Sequence, residues 1–289
     1  MEPVAAAEIK QLVKIYTDFW GRSKVHALNG LNLTIRQGEI FGLLGPNGSG
    51  KTTTIKLLLG LLRPTGGSVS VLGYPAAHVS KNALIGYLPE ESYLYRFLTG
   101  EETLVFYGRL FGLRGEALRR RVNELLDLVR LDRRARKRAL KEYSKGMSRR
   151  IGLAQALINN PKFVLLDEPT TGLDPVGTRE MKDLILAMKA EGRTVLMSSH
   201  LLADVEDVCD RIAILVRGDM RECGDVKELL LVRDIVQLRA RNVRADVVRQ
   251  VQALLADSGA QDVETSHPRM TLEELFLNVI SQDGRPPAP

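Results

Sequence analysis

The sequence predicts an α/β fold in which a mostly parallel sheet is flanked by helices. Three observations predict it. Strand-like and helix-like segments alternate from Ile40 to Leu215, the strand-like ones are short apolar runs, and a glycine-rich loop joins the first run to a helix. Alternation of this kind places a crossover helix between parallel strands. A strand covered by helices on both faces has no polar side to present, so it reads as continuously apolar.

The elements follow in chain order. Glu8–Val13 and Leu31–Ile35 alternate apolar and polar residues and are joined through Trp20-Gly21-Arg22-Ser23, which predicts an antiparallel β part at the N-terminus. Ile40–Leu44 is an apolar strand ending at Gly45, and Thr52–Leu62 reads as a helix. Gly115–Leu131 sets Leu118, Val122, Leu125, Leu126 and Val129 at helical spacing. Ser148–Asn159 is a second helix, stopped at Asn160-Pro161 because proline pushes the residue before it out of the helical region. Strand Phe163–Leu166, helix Val176–Ala190, strand Thr194–Ser198, helix Leu201–Val208 and strand Ile212–Leu215 complete the alternation. Residues 1–224 therefore form the main domain, with a helical subdomain over about 90–160. Strand Ile235–Arg239, helix Ala245–Leu255, strand Asp262–Ser266 and helix Leu272–Ile280 predict a small appended α/β unit over 225–281. The proline-rich residues 282–289 predict a disordered tail.

A chain with 44% hydrophobic and 26% charged residues is not globally disordered. No apolar run approaches the roughly 20 residues that a membrane-spanning helix needs. The N-terminus lacks the basic start and apolar core of a secretory signal. Cys209 and Cys223 stand without CxxC spacing and read as two reduced thiols in the cytosol. The net charge of +6 is concentrated: Arg114 to Lys141 carries 11 basic residues against four acidic ones. Such a run reads first as a solvated helix face and second as a surface lying near lipid headgroups. Nucleic-acid binding comes last, since no aromatic residues interleave with the arginines to stack on bases.

Two motifs carry chemistry. Gly45-Pro46-Asn47-Gly48-Ser49-Gly50-Lys51-Thr52 fits GxxxxGK[ST] between a strand and a helix. Glycines let the backbone wrap a phosphate with its N–H groups inward, and the helix adds its positive dipole end. Lys51 supplies a point charge for the β/γ-phosphates and Thr52, with Thr53 beside it, supplies hydroxyls, the first for Mg²⁺. The second motif is Phe163-Val164-Leu165-Leu166-Asp167-Glu168, an apolar strand ending in two carboxylates. Ligands of parallel sheets bind at that end of the strands. Asp167 suits Mg²⁺, and Glu168 suits the proton of a water attacking the γ-phosphate. The pair favours ATP hydrolysis over phosphoryl transfer to a substrate.

Between and after these motifs stand Tyr143-Ser144-Lys145-Gly146-Met147, Thr171-Gly172-Leu173-Asp174 and Ser198-Ser199-His200. The ordered set resembles the ATP-binding subunits of ABC transporters, P-loop NTPases, over about Glu8 to Asp225. The resemblance implies that two subunits face head to tail around two ATP molecules. Ser144 and Gly146 would cap a γ-phosphate bound by the other subunit. Asp174 would cross the interface, and His200 would contact the γ-phosphate and orient the water. Tyr16 matches the aromatic residue that stacks on adenine, with Phe19 and Trp20 as alternatives. Two motifs depart from the family pattern, with Lys145 and Met147 replacing a glycine and the glutamine of the first. YSKGM stands for LSGGQ, and Glu90, in Pro89-Glu90-Glu91, stands where the family has a Mg²⁺-ligating glutamine. These departures and the closing Thr271-Leu272-Glu273-Glu274-Leu275-Phe276 are similar to the drug-resistance and ABC-2-type exporter group.

The resemblance implies a Mg²⁺-dependent ATPase subunit, peripheral on the cytoplasmic face of a membrane, paired as a homodimer or heterodimer. It would drive transport, export in that group, through separate transmembrane permease subunits, with no nucleic acid as partner. The competing reading is a soluble ATPase of the same class acting on nucleic acid or ribosomes. It suits the sequence less well, because about 90 residues between Lys51 and Ser144 leave no room for long coiled coils. A small-molecule kinase leaves Ser144, Asp174 and His200 unexplained.

Overall fold

The computed structural model describes residues 5–17, 23–91, 93–230 and 243–258. The chain divides into two compact units, Met1–Leu229 and Leu230–Pro289. The first unit holds two sheets. Strands β1 (Ala5–Thr17), β2 (Ser23–Arg36), β4 (Gly66–Val71) and β5 (Tyr74–Pro75) form an antiparallel sheet in the order β2-β1-β4-β5. Strands β3 (Ile40–Leu44), β6 (Ile85–Leu88), β7 (Phe163–Asp167), β8 (Thr194–Ser199), β9 (Arg211–Val216) and β10 (Asp219–Asp225) form the second, in the order β10-β9-β3-β8-β7-β6. Only the β9–β10 edge pairing there is antiparallel. Helices α1 (Lys51–Leu59), α2 (Gly100–Leu110), α3 (Gly115–Leu128), α4 (Lys145–Ala156), α5 (Pro175–Ala190), α6 (Leu202–Val208) and the short α7 (Val226–Leu229) complete this unit. In the second unit one helix is described, α8 (Ala245–Asp257).

Strand alternation divides the apolar runs between two cores. Successive side chains of a strand point to opposite faces. Ile40, Leu44, Val164 and Leu166 pack with the apolar stripes of α3, α4 and α5. Phe41, Leu43, Phe163 and Leu165 pack with α1 and the antiparallel sheet. Both strands are buried along their whole length, which is why each reads as an unbroken apolar run.

Helix boundaries differ from the sequence expectation for identifiable reasons. α1 stops at Leu59, not Leu62, because Gly60 turns left-handed at φ 76° and closes the helix end. α3 stops at Leu128 ahead of Arg130 at φ 52°. α4 begins three residues early, since the Ser144 hydroxyl accepts from the Met147 N–H and caps it. α2 was outside the expected elements, although its Thr99–Glu102 capping box is a readable signal. The expected elements at 235–239, 262–266 and 272–280, and the tail, lie outside the described residues.

Part of the basic run closes helix ends. Arg121 donates to the Leu157 carbonyl at 2.6 Å, past the end of α4, and Arg114 donates to Arg109 and Leu113 carbonyls at 2.7 and 2.8 Å. Cations at these positions meet the negative end of the helix dipole. Arg136 instead pairs with Asp127 at 2.5 Å. No helix among the described residues is long and apolar enough to cross a membrane.

One buried ion pair fixes α6 against α5. Lys182 Nζ lies 2.9 Å from Asp204 and 2.8 Å from Asp207, with Lys182 and Asp204 only 3% and 7% exposed. Asp204 Oδ2 already lacks a hydrogen-bond partner. Lys182→Met keeps the aliphatic stem and strands the Asp204 carboxylate in the interior. The expected cost is about 3 kcal/mol. A urea midpoint equal to that of the parent would contradict it.

Candidate functional site

The parallel strands bring distant residues to one edge. Leu44 is in register with Ser199, Asp167 with Ser198, and Leu88 with Leu166, so the carboxyl ends of β3, β6, β7 and β8 align. The loop after β3, the acidic pair at the end of β7, His200 after β8 and Glu90 after β6 all lie along this edge. That is the edge where open α/β sheets bind ligands.

The loop between β3 and α1 is shaped by its glycines. Gly45 has φ 151°, and a Cβ there would stand 2.2 Å from the Leu215 carbonyl and 2.5 Å from Ser49 Oγ. No side chain fits. Gly50, at φ 109°, caps α1 without any side-chain acceptor for the first helical amides. Ser49 Oγ is buried and has no hydrogen-bond partner. Uncapped amides and an orphaned hydroxyl around a positive helix end fit a phosphate. Lys51 begins α1, is 6% exposed and donates to the Gly45 carbonyl at 2.6 Å and that of Pro46 at 3.3 Å.

The acidic pair adjoins this loop. Asp167 Oδ1 accepts from Ser198 Oγ at 2.6 Å and from Thr52 Oγ1 at 3.3 Å. A carboxylate and a hydroxyl beside a phosphate loop fit Mg²⁺, a hard cation that takes few protein oxygens and keeps its remaining positions for phosphate and water. Glu168 is 6% exposed and sits 3.5 Å from Lys51 Nζ through one oxygen. Its other oxygen accepts from Thr171 Oγ1 at 2.9 Å and lies 2.8 Å from His200 Nδ1. A carboxylate oxygen there accepts from the ring, so Nδ1 is the donor and the contact fixes the orientation of the His200 imidazole. The Glu168 backbone is left-handed, at φ 50°, and its N–H donates to Ser198 Oγ at 3.0 Å. Nearby on β6, burial pushes the Tyr87 hydroxyl up to about 12, with the Asp167 charge adding to the effect. That phenol stays protonated and does not compete as a base.

Of the sequence-predicted residues, Gly45 to Thr52, Asp167, Glu168 and His200 come together. Tyr16, 37% exposed, reaches α1, its hydroxyl 3.4 Å from Thr53 Oγ1, with Lys14 Nζ 5.3 Å from the ring centre. Phe19 and Trp20 lie outside the described residues. The Glu90 side chain is exposed, two residues past β6. The Ser144 and Asp174 side chains each cap a helix of their own, α4 and α5. No hydrogen bond joins them to the Lys51–Glu168–His200 cluster among the described residues. Sequence reasoning missed three partners of the acidic pair, Thr171, Ser198 and Arg149. The bridging part played by Ser198 between Asp167 and Glu168 was hidden inside a motif read for its histidine. Arg149 gave no signal beyond its place in α4.

The ABC transporter family pattern matches residues 28–171. An uncharacterised ABC transporter ATP-binding protein of Nostoc is 41% identical over 94% of this chain and 88% of its own length. The Nod factor export ATP-binding protein I of Burkholderia lata is 38% identical over 75% of this chain and 69% of its own. The dimeric post-hydrolysis structure of the ATP-binding cassette MJ0796, bound to ADP and Pi, superposes with a TM-score of 0.69. It is 27% identical and covers 76% of this chain and 98% of its own. With a phosphate loop, a strand-end carboxylate pair and a histidine on one sheet edge, and with relatives of this kind along nearly its whole length, the chain belongs to the ABC transporter family as an ATP-hydrolysing subunit that powers transport.

Proposed function

We propose that this subunit drives export through separate transmembrane permease subunits, lying against the cytoplasmic face of the membrane. The export-named Burkholderia relative supports the direction. The observation that carries the catalytic reading is the Glu168 carboxylate, buried and held by Lys51, Thr171 and His200 beside the phosphate loop. In this reading Gly45 to Thr53 bind the triphosphate, Tyr16 meets the adenine, and Thr52, Asp167 and Glu90 hold Mg²⁺. The metal supplies charge neutralisation on the phosphate oxygens. Glu168 takes the proton of the attacking water, and His200, oriented by Glu168, places Nε2 toward the γ-phosphate.

Ser144, Gly146 and Asp174 act on the site of a second cassette. Ser144 is exposed at the N-terminus of α4, and a Cβ on Gly146 would meet nothing closer than Leu173 at 3.9 Å. Among the described residues nothing requires a glycine there, which supports a requirement imposed from outside. Ser144→Glu places a carboxylate that the helix end tolerates and a triphosphate repels. Chains carrying Lys51→Ala or Ser144→Glu are each expected to lose turnover. A mixture of the two should exceed their sum, because each mixed pair contains one intact composite site. A mixture no more active than its parts would place these residues outside the site. Membrane docking is tested by co-expression with the permease: the subunit should sediment with membranes only then. Retention on ribosomes or DNA instead would oppose the transport assignment.

A further inference from the structure

We propose that Arg149 is a positioning residue that sets the catalytic carboxylate and links it to the Glu90 turn. The proposal rests on the reading of Glu168 as general base. Arg149 lies in the second turn of α4 and is 5% exposed. A guanidinium carries five N–H donors in a rigid fork, and here each meets a main-chain carbonyl. Nε donates to Pro169 at 3.1 Å. Nη2 donates to Asp167 at 2.7 Å and to Glu168 at 2.6 Å. Nη1 donates to Glu90 at 2.7 Å and to Pro89. The acceptors belong to two segments far apart in sequence, 89–90 and 167–169.

Glu168 needs such a hold. It has a left-handed φ of 50° without being glycine, and it precedes Pro169, whose ring disfavours compact backbone in the residue before it. A residue so placed keeps its conformation only when its surroundings over-determine it. Ser198 fixes the Glu168 N–H, and Arg149, with the Thr171 N–H at 3.3 Å, fixes its carbonyl. Without the fork the 168–169 peptide is free to rotate and carry the carboxylate away from Lys51 and His200. The same fork makes the Pro89–Glu90 turn and the catalytic carboxylate one rigid body. A displacement of that turn therefore reaches Glu168 without passing through the nucleotide.

The test is Arg149→Lys in the full chain, with Arg149→Gln beside it. Lysine keeps the charge but offers donors from a single point, so it cannot span both segments. Turnover is expected to fall about 10²-fold, as displacements near 1 Å do, while KM for ATP stays within about threefold. Binding of a fluorescent, non-hydrolysable ATP analogue should be retained. In a Glu168→Gln background, adding Arg149→Lys should cause little further loss, because a residue that acts through Glu168 has nothing left to position. Arg149→Lys turning over at the parental rate overturns the proposal. So does a turnover loss matched by an equal loss of ATP-binding sites, or a fully additive loss in the Glu168→Gln background. If Glu168→Gln alone keeps the parental rate, the base assignment falls and this proposal with it. An inactive Glu168→Gln beside a fully active Arg149→Lys removes only the role of Arg149.

Discussion

Glu168→Gln is expected to lower ATP turnover about 10³-fold while ATP stays bound. The substitution is isosteric, so the Thr171 hydroxyl at 2.9 Å keeps an acceptor and the left-handed backbone keeps its supports. What disappears is the negative charge and the basicity needed to accept a proton from water. Lys51, 3.5 Å from the carboxylate in the parent, is released from that attraction and remains tethered to the Gly45 and Pro46 carbonyls. Phosphate binding is therefore preserved or improved. With binding intact and chemistry blocked, two cassettes should stay closed around ATP, and size exclusion in ATP should show a dimer that ADP does not support. A variant that hydrolyses ATP at the parental rate would place the base elsewhere.

Lys51→Ala has the second largest expected effect, on binding before chemistry. The ammonium is nearly buried and sits among two carbonyls and the Glu168 carboxylate. Its loss removes a charge-assisted contact to phosphate, and it also leaves Glu168 without its cation in a desolvated site. The lost phosphate contact costs about 2–3 kcal/mol, so ATP affinity should fall by about 10²-fold. Nucleotide titration reads the loss, and a denaturation midpoint near the parental one would show that the fold is retained. Hydrolysis close to the parental rate would remove the phosphate-loop assignment.

Legibility in the sequence tracks how local the physical cause is. The phosphate loop was readable because its eight residues answer one backbone problem: a turn that admits no Cβ at Gly45. Asp167 and Glu168 were readable because burial of both faces of β7 leaves an apolar run whose end is marked by charge. The α8 helix was also legible from periodicity, ending at Asp257 where Leu255 was expected. α2 escaped because a helix starting at Gly100 lacks a strong apolar stripe. β6 escaped because Gly86 interrupts the short apolar run Ile85–Leu88.

The sequence by itself determined where triphosphate chemistry resides and which residue types perform it, since glycine sterics and strand burial act over a few consecutive residues. The tertiary structure alone decided what surrounds the carboxylate. Lys51 and the Ser198–His200 segment are far from Glu168 in sequence, and they meet it only because the sheet seats β3 beside β8 and β8 beside β7 in one register, while Arg149 arrives on α4. That register is set by the packing of whole faces against two cores, a cause spread over dozens of residues and therefore invisible in any short window of sequence.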